Sequence, residues 1–90
     1  MDKSEAYHLA QKAIADLKAA VFSILQNSPD GIRNVELGRT LGIYAGHVRH
    51  QGHIPRTLLA MLEEEGVAEQ DPSTKRWKIR SQHEEQGEDE

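Results

Sequence analysis

The 90-residue chain has no cysteine, which removes a disulfide framework, a thiolate zinc site and a cysteine nucleophile, and fits a reducing cytoplasm. No apolar run approaches the roughly 18 residues a membrane span needs, and no basic flank followed by an apolar stretch opens the sequence as in a secretory signal. A cytoplasmic protein without membrane contact is the expectation. Catalytic parts are equally lacking. Ser23, Ser28 and Ser73 have no histidine and acid nearby in an interpretable frame, no glycine motif for cradling phosphate occurs, and the carboxylates lie in runs. A chain this short buries only about 60% of its unfolded surface, which leaves one modest core and little room for an enclosed active site. These absences predict a single domain that is not an enzyme and needs no cofactor.

What the chain does have is charge, and the charge is sorted. The formal net charge is -4, yet Glu84, Glu85, Glu88, Asp89 and Glu90 fall within the last eight residues, where no lysine or arginine occurs. Without those five the balance is +1. From Ile32 to Leu62 the sequence carries Arg33, Arg39, Arg49 and Arg56 against Glu36 alone, with His47, His50 and His53 beside them. Such sorting says more about partners than the sum does. From Ser81 onward no apolar residue occurs, so residues 81–90 read as a disordered acidic tail after a domain spanning 1–80.

Tyr7, Ala10, Ile14, Leu17, Val21 and Ile24 recur at steps of three and four, which predicts one helix over about Lys3 to Gln26. Asp2 with Glu5 forms a candidate capping box, and Ser4 is a second candidate cap. About 11 residues would be ordinary for a helix, and the second half of this one suffices to cover a small core. The surplus stripe at Tyr7, Ala10 and Ile14 therefore needs another partner. A second copy of the chain, giving a homodimer, is the simplest; the alternative is that the hairpin or the tail folds back over it.

Ser28-Pro29-Asp30-Gly31 reads as a turn. A short second helix follows over residues 34–41, with Asn34 as its cap, Leu37 and Leu41 buried and Gly42 at its end; Ile32 and Ile43 flank it as core contacts. The third helix is predicted over 55–65. Pro55 suits a first helical position and disfavours helix in Ile54, while Leu58, Leu59 and Leu62 point inward. Gly66 closes it, with Val67 reaching Leu62 as in a Schellman ending. Residues 67–80 read as a hairpin, Val67–Gln70 and Lys75–Arg80 joined by a type I turn at Asp71–Thr74. Lys75, Trp77 and Ile79 share one side of its second strand, Trp77 and Ile79 anchoring it, and Arg76, Lys78 and Arg80 share the other.

Arg56 and Thr57 lie in the first turn of the third helix, where free amides and the positive dipole end attract phosphate, whereas Glu63, Glu64 and Glu65 crowd its last turn. If either end meets a polyanion, it is the N-terminal one. The preceding segment, Gly46 to His53, combines two glycines that permit close backbone approach with Arg49 and Gln51, which hydrogen-bond phosphate or a base edge, and with three histidines that titrate near neutral pH. The histidines also suggest zinc or nickel. Spacing argues against a metal, because residues six apart on a helix lie about 240° around it and no carboxylate or cysteine in the segment completes a tetrahedral set.

Three helices and a basic hairpin in this order resemble the winged helix-turn-helix family of DNA-binding domains. The resemblance covers about Lys18 to Arg80 and rests on Glu36 to Ile43, on Leu58 to Val67, and on the basic hairpin with Trp77. It implies a mainly α fold with a C-terminal wing, Arg56 and Thr57 at the major groove, and Lys75, Arg76 and Lys78 on the backbone or minor groove. More loosely, the chain looks like the winged domains attached to some bacterial restriction enzymes, without a nuclease part. It departs from the family in Tyr44 to His53, ten residues where a short turn is usual; this loop either alters the angle of the third helix or reaches the nucleic acid itself. The expected partner is double-stranded DNA, contacted by Arg33, Arg39, His47, Arg49, His50, Gln51, His53, Arg56, Thr57, Lys75, Arg76 and Lys78, in a small prokaryotic or phage transcription regulator or DNA-processing accessory. The alternative is a winged helix that docks onto a protein partner as a subunit of a larger assembly.

Overall fold

A computed structural model describes residues 1–45 and 51–81. Three helices, α1 (Lys3–Gln26), α2 (Asn34–Leu41) and α3 (His53–Glu64), precede a two-stranded antiparallel sheet of β1 (Ala68–Gln70) and β2 (Trp77–Ile79). The capping box that starts α1 is complete: Glu5 N donates to Asp2 Oδ1 at 2.8 Å and Asp2 N donates to Glu5 Oε1 at 2.9 Å. At the other end Asn27 Nδ2 and Ser28 Oγ donate to the carbonyls of Ser23 and Ile24, which also accept from Asn27 N. Every residue from Met1 to Ala13 is exposed, and burial becomes complete only at Val21 and Leu25.

The core joins those two residues to Leu37 of α2, Leu58, Leu59 and Leu62 of α3, Ala68 of β1 and Trp77 of β2. Burying one such leucine contributes about 1.5–3 kcal/mol. Ile32, Leu41, Ile43 and Ile79 pack around this cluster, half-buried. Both short helices end on a left-handed glycine. Gly42 N donates to Arg39 O and Ile43 N to Gly38 O; Gly66 N donates to Glu63 O and Val67 N to Leu62 O. These are the paired bonds of a Schellman ending.

Several details differ from the expectation, among them β1, which begins at Ala68 and not at Val67, and β2, which ends at Ile79 and not at Arg80. Helix α3 begins at His53, two residues before Pro55, with Ile54 helical; the first helical amides have no intrahelical acceptor, so a proline costs nothing anywhere in that turn. It ends at Glu64. Asn34 is the first residue of α2 and not its cap: Arg33 precedes the helix in an extended conformation, and its amide is received by Glu36 Oε1 at 3.2 Å. The second strand begins at Trp77, because Lys75 adopts a left-handed φ of 66° and closes a five-residue turn through Lys75 N to Asp71 O. An isolated antiparallel bridge between Ile32 and Trp77, made by two hydrogen bonds of 2.8 and 2.7 Å, is a tertiary pairing that no local residue pattern announces.

The Asp71 carboxylate organises the hairpin turn by accepting from Ser73 N and Thr74 N at 2.7 and 3.1 Å. The Thr74 bond first, then the Ser73 bond, with a smaller effect of the Lys78 charge, hold this carboxyl below the ordinary aspartate range. A depressed carboxyl contributes stability that is complete above the unfolded value of about 3.9 and lost as pH falls through the lower folded value. The Ser73 and Thr74 amide resonances should therefore stay in place down to about pH 4 and move only below it. In Asp71→Asn that acid transition should disappear, and a transition of unchanged size would contradict the assignment.

Candidate nucleic-acid interface

Gly52 stands immediately before α3 with φ +83°, a backbone region that favours glycine. A Cβ there would sit 2.6 Å from Tyr44 Cε1 and 2.8 Å from Asn34 Nδ2. Gly52 N donates to Ala45 O at 3.3 Å, and Gly52 O accepts from Asn34 Nδ2 at 3.2 Å. The two ends of the segment between Ala45 and Gly52 are thus tied to each other and to α2. Asn34 opens α2 and Gly52 opens α3, so one hydrogen bond joins the N-terminal ends of two helices. The long connection carries the chain from the end of α2 back to its start. Along the way Gly38 lets the helices touch, since a Cβ would meet Pro55 Cγ at 2.9 Å and the Tyr44 ring at 3.0 Å. The Arg39 guanidinium lies 5.2 Å from the centre of that ring, a cation-π contact.

Neither helix start carries an accepting side-chain cap. The amides of His53 and Ile54 in α3 have no intrahelical acceptor, and Pro55 has no N–H. The starts of α2 and α3 therefore meet with first-turn amides that no N-cap side chain receives, a disposition that favours anions, although Glu36, which accepts from Arg33 N, places one carboxylate in the first turn of α2.

The hairpin enters this neighbourhood through the bridge. Arg76 Nη1 donates to Gly31 O at 3.2 Å, and Gly31, with φ +91°, leaves no room for a Cβ, which would fall 2.8 Å from Arg76 Cβ. Since Ile32 and Trp77 pair antiparallel, Arg33 and Arg76 flank them on the same side. Contacts then run without a break from Arg76 through Gly31–Arg33 to Asn34, Gly52 and the first turn of α3, where His53 and Arg56 are exposed.

Among the described residues the ion pairs are Lys12 Nζ–Asp16 Oδ2 at 2.8 Å and Lys18 Nζ–Glu65 Oε2 at 2.5 Å. Arg33, Arg39, Arg56, Lys75 and Arg76 take part in neither. The acidic end of α3 is served instead by Lys18, and Arg80 Nη1 lies 3.7 Å from the Cβ position of Gly66 at that same end. Arg80, expected to share a side with Arg76 and Lys78, is placed by the helix terminus that attracts cations.

The remaining expected residues divide. Gln51 is exposed at the base of the connection. Thr57 is exposed, but its hydroxyl donates to His53 O at 2.9 Å within its own helix. Lys78 stands opposite Glu69 across the sheet and near Asp71. His47, Arg49 and His50, like the tail from Gln82 onward, lie outside the described residues. Tyr7 and Ala10 are exposed on α1 and Ile14 is half-buried. Among the described residues no group of histidine and acidic side chains is placed to hold a metal, and no helix is long and apolar enough to cross a membrane. Comparison with family models, with curated proteins and with solved structures yields no match.

The sequence pattern did not reveal the joint of Asn34, Tyr44 and Gly52, because its parts are 18 residues apart at most and each has a local explanation. Its stiffness is testable against Gly42, which also has positive φ but open space around its Cβ position. Gly42→Ala should cost only the left-handed penalty of about 1–2 kcal/mol. Gly52→Ala, which adds the clash with Tyr44 and Asn34, should lower urea-unfolding stability further, and equal losses would contradict the joint.

Proposed function

We propose that the protein binds double-stranded DNA without catalysis, as a winged helix-turn-helix in which β1 and β2 form the wing, and that it serves as a small regulator of transcription or an accessory to DNA processing. One observation carries the reading: the starts of α2 and α3, neither with an N-cap side chain that accepts from its amides, meet at Asn34 and Gly52 with Arg33, Arg56 and Arg76 around them, and none of the three guanidinium groups is in an ion pair among the described residues. Phosphate meets such a surface favourably on three counts, namely free amides, dipole ends and guanidinium groups.

The start of α3 is the part that approaches the duplex. Its far end carries Glu63, Glu64 and Glu65, which repel a polyanion. Arg56 is the candidate for a base edge, and Arg33 and Arg76 hold the backbone next to it. Arg39 is braced on Tyr44, and Lys75 projects from the wing turn. The long connection brings the start of α3 beside the start of α2, so the reading geometry differs from that of a short-turn helix-turn-helix. Lys78 contributes less, because it stands across the sheet from Glu69 and near Asp71, whose carboxylates repel a phosphate there.

Fluorescence anisotropy with a labelled duplex tests this. If about six phosphates are neutralised, the log-log salt slope should be near -5. Arg56→Ala should weaken binding by roughly 1–3 kcal/mol with relaxed sequence preference, whereas Arg33→Ala with Arg76→Ala should weaken all sequences alike and reduce the slope by about 2. Lys78→Ala should change little. No binding at micromolar protein in low salt would remove the proposal.

A further inference from the structure

The chain leaves the described fold at Ser81, one residue after Arg80 N donates to Val67 O at 2.8 Å. That point lies beside the end of α3, which Glu63, Glu64 and Glu65 make negative. Residues 82–90 lie outside the described ones, and their composition and length set two properties, charge and reach. Glu84, Glu85, Glu88, Asp89 and Glu90 place five carboxylates in seven positions, with no lysine or arginine between them. Like charge keeps such a segment off the end of α3. Reach decides where else it can go. From Arg76 to Ser81 is five residues, at most about 18 Å of chain, and an extended chain beyond Ser81 covers about 10 Å to Glu84 and about 30 Å to Glu90. Carboxylates therefore fall on both sides of the distance back to Arg76. The start of α3 lies about 18 Å from its end, twelve residues on, and is within the same reach.

The described cations are not equally open to this segment. Lys12 and Lys18 are in ion pairs, Arg39 rests on the Tyr44 ring, Lys78 stands opposite Glu69 and near Asp71, and Arg80 lies against the negative end of α3. Arg33, Arg56 and Arg76 are in no ion pair among the described residues, and they outnumber the acids of the adjoining segment, Asp30 and Glu36. We propose that residues 84–90 dock on Arg33, Arg56 and Arg76 of their own chain and compete with phosphate for them. A short flexible tether holds a segment at an effective concentration of roughly millimolar, so contacts too weak to retain a free peptide retain this one. Screening beyond about 8 Å at physiological salt makes the contact one of direct approach, dissolved by added salt. The docked form is closed to every duplex alike, so docking in about nine molecules of ten weakens all DNA binding about tenfold and leaves sequence preference unchanged. That role rests on the DNA reading above; the contact itself rests on the arginines.

Because the chain has no cysteine, Gln86→Cys accepts a single nitroxide spin label, and the 15N-labelled full chain can be measured without DNA. The amides of Gly31–Asn34, Gly52–Ile54 and Arg56 should broaden at low salt and recover near 1 M, where the screening length is about 3 Å. Glu84→Gln, Glu85→Gln, Glu88→Gln, Asp89→Asn and Glu90→Gln together should abolish that broadening in the labelled chain. Without the label, the same five changes should tighten binding to a random duplex about tenfold. Broadening indifferent to salt and to these changes, or centred on Gly66 and Val67, would overturn the docked contact. Equal duplex affinity with and without the five carboxylates would overturn the competition. A segment that docks in a chain binding no duplex would retire the DNA reading and leave the contact standing, whereas duplex binding by a chain whose segment never docks would do the reverse.

Discussion

The hydrogen bond from Asn34 Nδ2 to Gly52 O holds the start of α3 against the start of α2, and most of what is distinctive in this molecule follows from it. It is possible only because residue 52 is glycine: the backbone there is left-handed, and the space a Cβ would need is filled by Tyr44 and by Asn34 itself. An ordinary residue at position 52 would push the two helices apart. Asn34 Oδ1 is buried without a hydrogen-bond partner among the described residues, so the side chain is held there by its amide nitrogen and by packing.

From that joint the electrostatics follow. Two helix starts present free amides to one neighbourhood, and the Ile32–Trp77 bridge delivers Arg33 and Arg76 to the same place by a separate route. At the opposite end of α3 Glu65 is taken up by Lys18, with Arg80 close by. Among the described residues Arg33, Arg56 and Arg76, none of them in an ion pair, lie toward the start of α3, and Glu63, Glu64 and Glu65 lie at its end, although the chain as a whole is acidic. Electrostatic recognition depends on this local separation more than on net charge.

Much of this was legible in the residues. Periodicity located α1 with its bounds, because 24 residues of repeated apolar spacing leave little ambiguity, and Asp2 with Glu5 announced its start. Gly42 and Gly66 announced two helix ends through their positive φ. The start of α3 was misplaced by two residues, since proline reports only that a position lies in the first turn and not which position it is. The role of Asn34 was misassigned for a related reason: an asparagine before a helix reads as a cap, and its actual partner, Gly52, is 18 residues away. The Ile32–Trp77 bridge and the siting of Lys78 beside Glu69 and Asp71 are likewise products of tertiary pairing. For the candidate site, residue types alone singled out the start of α3, while the company that Arg33 and Arg76 keep there required the fold.

The central claim is that one surface, built around the meeting of two helix starts, receives the phosphate backbone. Titrating the 15N-labelled chain with a random-sequence duplex and following its amide resonances tests it most directly. The account predicts shifts confined to Gly31–Asn34, Gly52–Thr57 and Lys75–Arg76, with Glu63–Gly66 unmoved. Shifts centred on Glu63–Gly66 or on the hairpin strands alone, with Gly52 and Arg56 silent, would contradict it.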